Sequence, residues 1–447
     1  MREAAAADPV HAPTDSHQIT RRAVVGWVLY DLANTIFSMG VISFLFPLWI
    51  RGEVGAEKAD ARYGVITAIS MAIIFILSPL LGAMTDRARK RMPFLLYSTF
   101  LCVVLTTLLA RGPFMMTAIV FIIANACYQA GLQFYDALLP EVSTPANRGR
   151  IGGIGIGVGY VGSYIAIGLS LFMSRGGQPL DKPLLFTLYG IGFLLFSIPC
   201  LLFVRERGNP NPRPITMVAM IESLRETVRT LRSSQEHPGL LRFLVGRIFY
   251  TDAINTVINI MGLYTVNVAV ASGLSAADGE QRAQRIMLFA ITFAIAGGFA
   301  WGWITDRIGP KRTLSHVLRA WMGIFLLAAL IGIVRLPLAM MYVLAALAGF
   351  ALGGVWAADR PFMLRLTPPH RVGEFYGLYG MVGRFSAITG PIIWAAVTSI
   401  LIRAEAPPLT AQGVAVLVLL ILVVISYVIL RPVSDAPAPP AAPTTAA

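Results

Sequence analysis

The chain has 447 residues, of which 56% are hydrophobic and only 13% charged, and its formal net charge is +13. A soluble protein of this length needs more charge to cover its surface, so the composition excludes a soluble globular fold and indicates a membrane protein. The basic excess does not indicate a nucleic-acid partner, because Lys and Arg collected in the cytoplasmic loops of a membrane protein explain it.

The first half of the chain starts with a polar stretch and continues with six apolar runs. Residues 1–20 are predicted to be a disordered tail. A helix needs about 20 apolar residues to cross the hydrocarbon core of a bilayer. The predicted spans are 25–50, 63–84, 94–111, 114–137, 151–174 and 183–204. Residues 21–204 are therefore expected to form an N-terminal six-helix bundle.

A long polar connection follows over residues 205–242. Its first part is rich in Pro and Asn and is predicted to be free of helix. In its second part apolar residues recur at helical spacing opposite arginines, which predicts an amphipathic helix on the cytoplasmic membrane face. Those apolar residues are Ile221, Leu224, Val228 and Leu231. A plain linker helix and a latch during conformational change are both open as its role.

Six further apolar runs complete the chain. They cover 243–270, 286–304, 313–334, 337–358, 374–402 and 409–430. We expect a C-terminal six-helix bundle over residues 243–432 and a disordered tail over residues 433–447. The predicted fold is an all-α membrane protein with twelve transmembrane helices.

The two halves repeat one another at a nearly constant offset. Asp31 and Asn34 recur 221 residues later as Asp252 and Asn255. The matching segments are 31–35 with 252–256, 82–87 with 302–307, and 131–148 with 354–371. The chain is therefore predicted to contain two copies of one folded unit. Membrane proteins built from two repeats usually bind their cargo between them, near the bilayer midplane.

Basic residues concentrate in the loops on the side of the two termini, whereas the opposite loops hold fewer and mix them with acidic residues. Short loops rich in Lys and Arg stay in the cytoplasm, so we expect both termini to be cytoplasmic. The basic residues on that side are Arg21, Arg22, Arg87, Arg89, Lys90, Arg91, Arg148, Arg150, Arg205, Arg207, Arg213, Arg307, Lys311, Arg312, Arg365 and Arg371.

The sequence lacks the motifs of cofactor, metal and disulfide sites. Its three cysteines lie in apolar runs without a C-x-x-C pair, and its five histidines lie outside the central parts of the spans. The pattern Gly157-x-Gly159-x-x-Gly162 lies within an apolar helix, where small residues predict close helix contact and not a dinucleotide site. We expect no cofactor, no metal, no nucleic-acid partner and no enzyme activity.

The repeated loop motif resembles the signature loop of the major facilitator superfamily. It reads Gly82-x-x-x-Asp86-Arg87 in the first half and Gly302-x-x-x-Asp306-Arg307 in the second. The first copy has Arg89 where the signature has glycine, so its turn is expected to differ. The segments 26–37, 134–141 and 249–256 are similar to the narrower vacuole-effluxer-like family. That family includes fungal vacuolar amino-acid exporters and many bacterial members of unknown cargo.

The loop motifs are interpreted as a cytoplasmic charge clamp that holds the outward-open state. An aspartate beside a helix N-terminus gains about 0.3–1 kcal/mol, and up to about 2 kcal/mol when partly buried. Glu141-x6-Arg148 resembles a gate motif of the superfamily, and Leu364 at the equivalent of Glu141 makes the two gates unequal. Ordinary positive-inside anchoring is the alternative. The predicted gate residues are Asp86, Arg87, Arg91, Asp136, Glu141, Arg148, Asp306, Arg307, Asp359 and Arg371.

Polar residues within the spans are the candidates for cargo or proton binding, because an ionisable group there costs about 2.5–3.5 kcal/mol to insert. They are Asp31, Asn34, Asp252, Asn255, Asn259 and Arg384. Asp31 and Asn34 share one helix face, and the repeat predicts the same geometry for Asp252 and Asn255 on a shared cavity. Arg384 is expected to need a carboxylate, water or an anionic group of the cargo. A structural hydrogen-bond network is the alternative, and Arg247 is interpreted as a snorkelling anchor.

We therefore expect a secondary active transporter that moves a small polar organic solute by alternating access. Amino acids are the leading cargo class, and proton coupling, direction and oligomeric state are open. A sugar, organic acid or drug is the alternative cargo, and a receptor, scaffold or polytopic enzyme is the alternative function. The predicted partners are the solute, the lipid bilayer and, if transport is coupled, protons. The Ala- and Arg-rich sequence favours a bacterial plasma membrane, with a vacuolar membrane as the alternative.

Overall fold

The computed structural model describes residues 18–174, 180–216, 239–367 and 371–434, with single positions between 218 and 225, and every regular element in this part of the chain is helical. The first six long helices are α1 (Arg21–Val54), α2 (Ala56–Arg87), α3 (Met92–Thr107), α4 (Phe114–Asp136), α5 (Arg148–Met173) and α6 (Lys182–Phe203). The other six are α7 (Leu240–Ala271), α8 (Ala276–Ile308), α9 (Pro310–Arg335), α10 (Met340–Leu366), α11 (Val372–Arg403) and α12 (Pro408–Leu430).

The prediction of twelve spans in two six-helix halves is confirmed. Among the described residues, eleven helices are long and apolar enough to cross a membrane. The twelfth, α3, has only 16 residues, because the chain turns after Thr107 and breaks again at Pro113. It packs between α4 and α6 in the N-terminal half, which makes it the third span.

Two helices start earlier than the apolar pattern predicts. Helix α2 starts at Ala56 and α8 at Ala276, whereas the apolar runs start at 63 and 286. The added turns are charged, and the N-terminus of α8 is capped by Ser275, whose hydroxyl accepts the N–H of Asp278 at 3.1 Å. Such turns extend the helices beyond the hydrocarbon core.

The two copies of the loop motif turn differently, as the substitution by Arg89 predicts. In the second copy one residue, Gly309, separates α8 from α9, and its φ of +87° is a conformation that glycine adopts without strain. In the first copy, four residues separate α2 from α3. No described residue between Arg87 and Met92 has a positive φ.

The middle of α1 is wound more widely than an α-helix. Ile36–Leu45 is π-helical, between α-helical turns on either side. Gly40 lies in this stretch against the ring of Tyr189, and a Cβ there would come within 2.8 Å of the ring. The glycine therefore lets α1 and α6 pack closely at the point where α1 changes its winding.

The two halves meet backbone to backbone through small residues, as the glycine spacing predicts. Helix α5 packs against α8 and α10, and α2 packs against α11. A Cβ on Gly153 would come within 2.5 Å of the Cα atom of Gly302, and one on Gly298 within 2.6 Å of the backbone nitrogen of Gly157. Small residues let helices approach this closely within a membrane.

The end of the bundle at which α1 begins and α12 ends is called here the terminal end. A connector, residues 205–216, leaves α6 at this end and lies along the α2–α3 loop, where the N–H of Asn209 donates to the carbonyl of Arg89 at 2.8 Å. The predicted tails, over 1–20 and 433–447, and the predicted amphipathic helix at 221–231 lie mostly outside the described residues.

Candidate functional site

A cavity of about 530 Å³ lies between the two halves. It is bounded by α1, α2, α4 and α5 on one side and by α7, α10 and α11 on the other. Its ionisable, amide and aromatic lining residues are Asp31, Asn34, Tyr128, Gln129, Gln133, Asp136, Tyr160, Arg247, Asn255, Trp356, Arg360, Tyr376, Tyr379 and Arg384. Ionisable and amide side chains of both halves thus face one shared cavity.

One arginine joins the two halves inside this cavity. The guanidinium of Arg360, on α10, lies 3.3 Å from Asp31 on α1 and 3.0 Å from Asp136 on α4. Each of the three side chains is less than 10% exposed. Asp31 was predicted as a cargo residue and Asp136 as a gate residue, and the structure brings them together. Two carboxylates share one guanidinium, which leaves one excess negative charge in this part of the cavity when both carboxylates are ionised.

A second ion pair is completely buried within the C-terminal half. Arg247 Nε donates to Asp359 Oδ2 at 3.0 Å, and the guanidinium stacks 3.5 Å from the ring centroid of Tyr379. The hydroxyls of Tyr250 and Tyr379 also donate to Asp359. The prediction that Arg247 is a snorkelling anchor is wrong, because its partner lies within the bundle. Asp359 likewise lies in this network and not in a contact between the halves at the terminal end.

Arg384 extends from α11 across the cavity to the other half. Its Nη1 donates to Ser78 Oγ at 2.7 Å and its Nη2 to the carbonyl of Gln129 at 3.0 Å. It is 7% exposed. Among the described residues it forms no ion pair with a carboxylate. Its charge is therefore available to an anionic group in the cavity.

Some of the buried polar atoms without a hydrogen-bond partner belong to residues that line the cavity. Within the part of the chain that the structure describes, they include both amide atoms of Asn34, the Tyr376 hydroxyl and Arg384 Nε. Buried polar atoms in proteins nearly always have a partner. A polar ligand or water in the cavity can complete the bonds of those that line it.

The repeat does not place Asp252 where it places Asp31. Asp252 Oδ1 accepts the N–H of Gly390 at 2.6 Å, which ties α7 to α11 inside the C-terminal half. Neither Asp252 nor Asn259 is among the residues that line the cavity, whereas Asn255 is. The predicted pair of equivalent carboxylates on a shared cavity is therefore not formed.

At the terminal end, Asp86 caps a helix of the opposite half. It lies near the end of α2, and its two oxygens accept the N–H groups of Gly373 and Glu374 at 2.8 and 2.7 Å. These are the second and third residues of α11, whose N–H groups have no partner within their own helix. Arg91 donates to Asp86 at 2.8 Å and holds the carboxylate in place.

Asp306 makes the equivalent contact in the other direction. It lies near the end of α8 and accepts the N–H groups of Gly149 and Arg150, at 2.7 and 3.1 Å. These are again the second and third residues of a helix, α5, of the opposite half. The two repeated aspartates thus clamp the terminal ends of the halves together with the same geometry.

The other predicted gate residues also make contacts at the terminal end. Glu141 forms an ion pair with Arg207 of the connector, at 3.1 Å, and Arg371 forms one with Glu374, at 2.8 Å. Arg148 Nε lies 3.4 Å from Ser143 Oγ, and Arg307 stacks 3.5 Å from the ring centroid of Trp303. The carbonyl of Arg87 accepts the N–H of Arg213, at 2.9 Å.

Two groups of contacts were not predicted from the sequence. Glu206 of the connector accepts the N–H groups of Arg91 and Met92 at 2.6 and 3.0 Å, so the connector braces the loop that positions Asp86. Arg360 was not recognised as the partner of Asp31. Two opposite charges within apolar runs of different halves are a signal that could have suggested this pair.

Known proteins resemble this chain over most of its length. Residues 55–435 match the family described as vacuole effluxer Atg22 like. An uncharacterised MFS-type transporter of Bacillus subtilis is 26% identical over 420 residues, covering 90% of this chain and 93% of that protein. Autophagy-related protein 22 of Eremothecium gossypii is 23% identical, covering 85% of this chain and 86% of that protein.

Solved structures share the fold at low sequence identity. The human organic anion transporter MFSD10 superposes with a TM-score of 0.67 at 17% identity, covering 94% of this chain and all (100%) of that one. A bacterial homologue of the iron transporter ferroportin, in an outward-facing state, superposes with a TM-score of 0.67 at 16% identity, covering 93% of this chain and 98% of that one.

Proposed function

Since this chain belongs to the vacuole effluxer Atg22-like family of MFS-type transporters, we propose that it moves a small zwitterionic solute across the membrane by alternating access. Amino acids are the leading cargo class. The observation that carries this proposal is the charge arrangement of the cavity, where one excess negative charge and one available arginine lie among polar atoms without partners.

Each charge of a zwitterion has a matching group in the cavity. Arg384 can hold a carboxylate bidentately, the geometry that guanidinium groups favour. The ammonium group can share the carboxylates of Asp31 and Asp136 with Arg360, and the amide of Asn34 and the hydroxyl of Tyr376 can complete the shell. An uncharged solute would leave the buried charge of Arg384 without a counter-charge, which is costly in a low-dielectric site.

The clamps at the terminal end support alternating access. With Asp86 and Asp306 bound to opposite halves, the cavity is closed on that side. The basic loops of the terminal end favour its placement in the cytoplasm. With this proposed orientation, the clamped arrangement is the one expected of a state closed to the cytoplasm. Opening toward the cytoplasm must break both clamps, and rocking of one repeat against the other does this around a fixed site.

Asp31 and Asp136 are the candidates for a coupling proton. Because they share the single guanidinium of Arg360, a proton on either carboxylate removes the excess negative charge and leaves the other fully paired. A proton and the ammonium group of the cargo then compete for the same site. Asp252 is the weaker candidate, since its carboxylate already holds the N–H of Gly390.

The test is efflux from proteoliposomes loaded with a mixture of amino acids, followed by mass spectrometry, with and without an imposed pH gradient. We expect loss of particular amino acids that depends on the protein, is accelerated by the gradient, and is abolished by Asp31→Asn and Arg384→Gln. Efflux unaffected by the gradient would remove proton coupling alone. No protein-dependent loss of any amino acid would remove this cargo class, and sugars and organic acids would be tested next.

A further inference from the structure

A second cavity, of about 430 Å³, lies at the terminal end between α9 and α12, away from the site between the halves. Every charged residue that lines it is basic, and no acidic side chain is among its described lining residues. The basic residues are Lys311, Arg312, His316, Arg319 and Arg431, and Ser315 and Tyr427 add hydroxyl groups. This cavity is called here the basic groove.

The groove is formed by two stripes that face each other. Arg312, Ser315, His316 and Arg319 recur at three- and four-residue spacing, so they share one face of α9. Tyr427 and Arg431, four residues apart, share the facing side of α12, and Lys311 Nζ donates to the carbonyl of Arg431 at 2.9 Å, which joins the two helices. The side chains of the three arginines, numbered 312, 319 and 431, are exposed.

Arg319 lies within helix α9 and not in the loop that precedes it. It is nine residues beyond the start of α9, or about 14 Å along the helix axis. Its Nε donates to the carbonyl of Ser315 at 3.2 Å, and its Nη2 lies 3.2 Å from His316 Nδ1. Both contacts direct the guanidinium back along the helix toward the terminal end, into the groove. An arginine at this depth needs water or an anionic partner.

The repeat shows that the fold does not require the basic residues at positions 312, 316 and 319. Asp86 and Asp306 fix the offset between the equivalent loops at 220 residues. The positions equivalent to Arg312, His316 and Arg319 are then Met92, Leu96 and Thr99, none of them charged. Orientation in the membrane already follows from the loop arginines of both halves. The stripe on α9 is therefore a property of the second copy alone and calls for its own explanation.

The surface beside the groove suits the acyl chains of a lipid. Helix α9 packs mainly against α10 and α12, on the side of the C-terminal half away from α1 to α6. Further from the terminal end, large apolar side chains on the same two helices are exposed, among them Leu326 (48%), Val424 (41%) and Val428 (60%). An anion held in the groove and two hydrocarbon chains on this surface can belong to one molecule.

We propose that the basic groove binds the phosphate-bearing headgroup of an anionic phospholipid, with its acyl chains along α9 and α12. Basic pockets between transmembrane helices at the membrane surface are suited to such headgroups. Guanidinium groups hold phosphate oxygens bidentately, and the hydroxyls of Ser315 and Tyr427 can donate further bonds. This site is independent of the cargo proposal, because its described lining residues do not line the central cavity.

The test measures lipid binding by the purified full-length protein in detergent. Native mass spectrometry counts the lipids that stay bound to the protein. The melting temperature is measured at increasing concentrations of phosphatidylglycerol, phosphatidylcholine, glycerol phosphate or inorganic phosphate. We expect one saturable phosphatidylglycerol site that phosphatidylcholine does not fill. Replacing Arg312, Arg319 and Arg431 together with Gln should weaken phosphatidylglycerol binding on the order of 100-fold, at about 1 kcal/mol per charge. Arg319→Gln alone should weaken it about fivefold.

The matched control neutralises three exposed arginines at the opposite end of the bundle, Arg51, Arg285 and Arg403, to Gln. This variant should bind phosphatidylglycerol as the parent protein does. Equal weakening in both triple variants would overturn the proposal, because it would show a general effect of net charge. Equal stabilisation by glycerol phosphate or inorganic phosphate would overturn the lipid as the occupant. Unchanged binding in Arg319→Gln and in the groove variant would overturn the site.

Discussion

Replacing Asp86 with Asn should shift the protein toward conformations open at the terminal end. The ionised carboxylate accepts two backbone N–H groups, at 2.8 and 2.7 Å, and the guanidinium of Arg91. Hydrogen bonds to charged groups contribute about 1.5–3 kcal/mol each, against about 0.5–1.5 kcal/mol for neutral ones. For two bonds the loss is about 2–3 kcal/mol, which changes the ratio of closed to open states about 30- to 150-fold.

The assay is a distance measurement between spin labels in lipid nanodiscs, by double electron–electron resonance. Lys90 and Arg242, both exposed and on opposite halves at the terminal end, carry the labels, and the native cysteines are replaced by Ala. We expect the distance distribution of Asp86→Asn to gain a longer component and transport to fall.

The control for this experiment is Asp181→Asn. Asp181 also caps a helix, accepting the N–H of Leu184 at 3.0 Å, but both residues belong to the N-terminal half. Its loss should lower thermal stability slightly and leave the label distances unchanged. Unchanged label distances and full transport in Asp86→Asn would refute the clamp. Equal changes in both variants would show that helix capping in general, and not the contact between the halves, sets the conformation.

Three further predictions follow from the buried contacts. Arg384→Lys keeps the charge but loses the bidentate fork, so the KM for cargo should rise about tenfold with little loss of protein stability; radiolabelled uptake checks this. Asp359→Ala leaves Arg247 buried without its counter-charge, and should cost about 3–5 kcal/mol in thermal unfolding experiments; an unchanged melting temperature would contradict the network. Gly153→Ala should impair closure of the two halves and therefore transport. Its neighbour Gly152 has open space at its Cβ position and should accept Ala. Equal transport by both variants would contradict close packing at Gly153.

Much of the fold was predictable because insertion into lipid requires long apolar runs that are easily recognised in the sequence. Apolar runs of span length and the repeat at a nearly constant offset predict twelve helices in two halves, and the helices confirm this. The errors lie at helix ends. The charged turns before residue 63 and before residue 286 are helical, because a helix does not need apolar residues where it leaves the membrane.

The side-chain partners were less predictable, because a repeat fixes helix positions and not the contacts of each side chain. Asp31 and Asp252 occupy equivalent positions, but one meets Arg360 of the opposite half and the other meets Gly390 of its own half. Arg247 looked like an anchor because its partner, Asp359, is 112 residues away in the chain. Contacts of this range depend on helix rotation and tilt, which an apolar pattern does not give.

The measurement that tests the central claim most directly is competition in a counterflow assay with proteoliposomes and a transported amino acid. The competitors are the same amino acid, its carboxamide, which lacks the negative charge, and its deaminated acid, which lacks the positive charge. If the cavity recognises a zwitterion through Arg384 and the carboxylates beside Arg360, only the intact amino acid competes effectively. Equal competition by either singly charged analogue would contradict the account, because one of the two charge sites would then take no part in recognition.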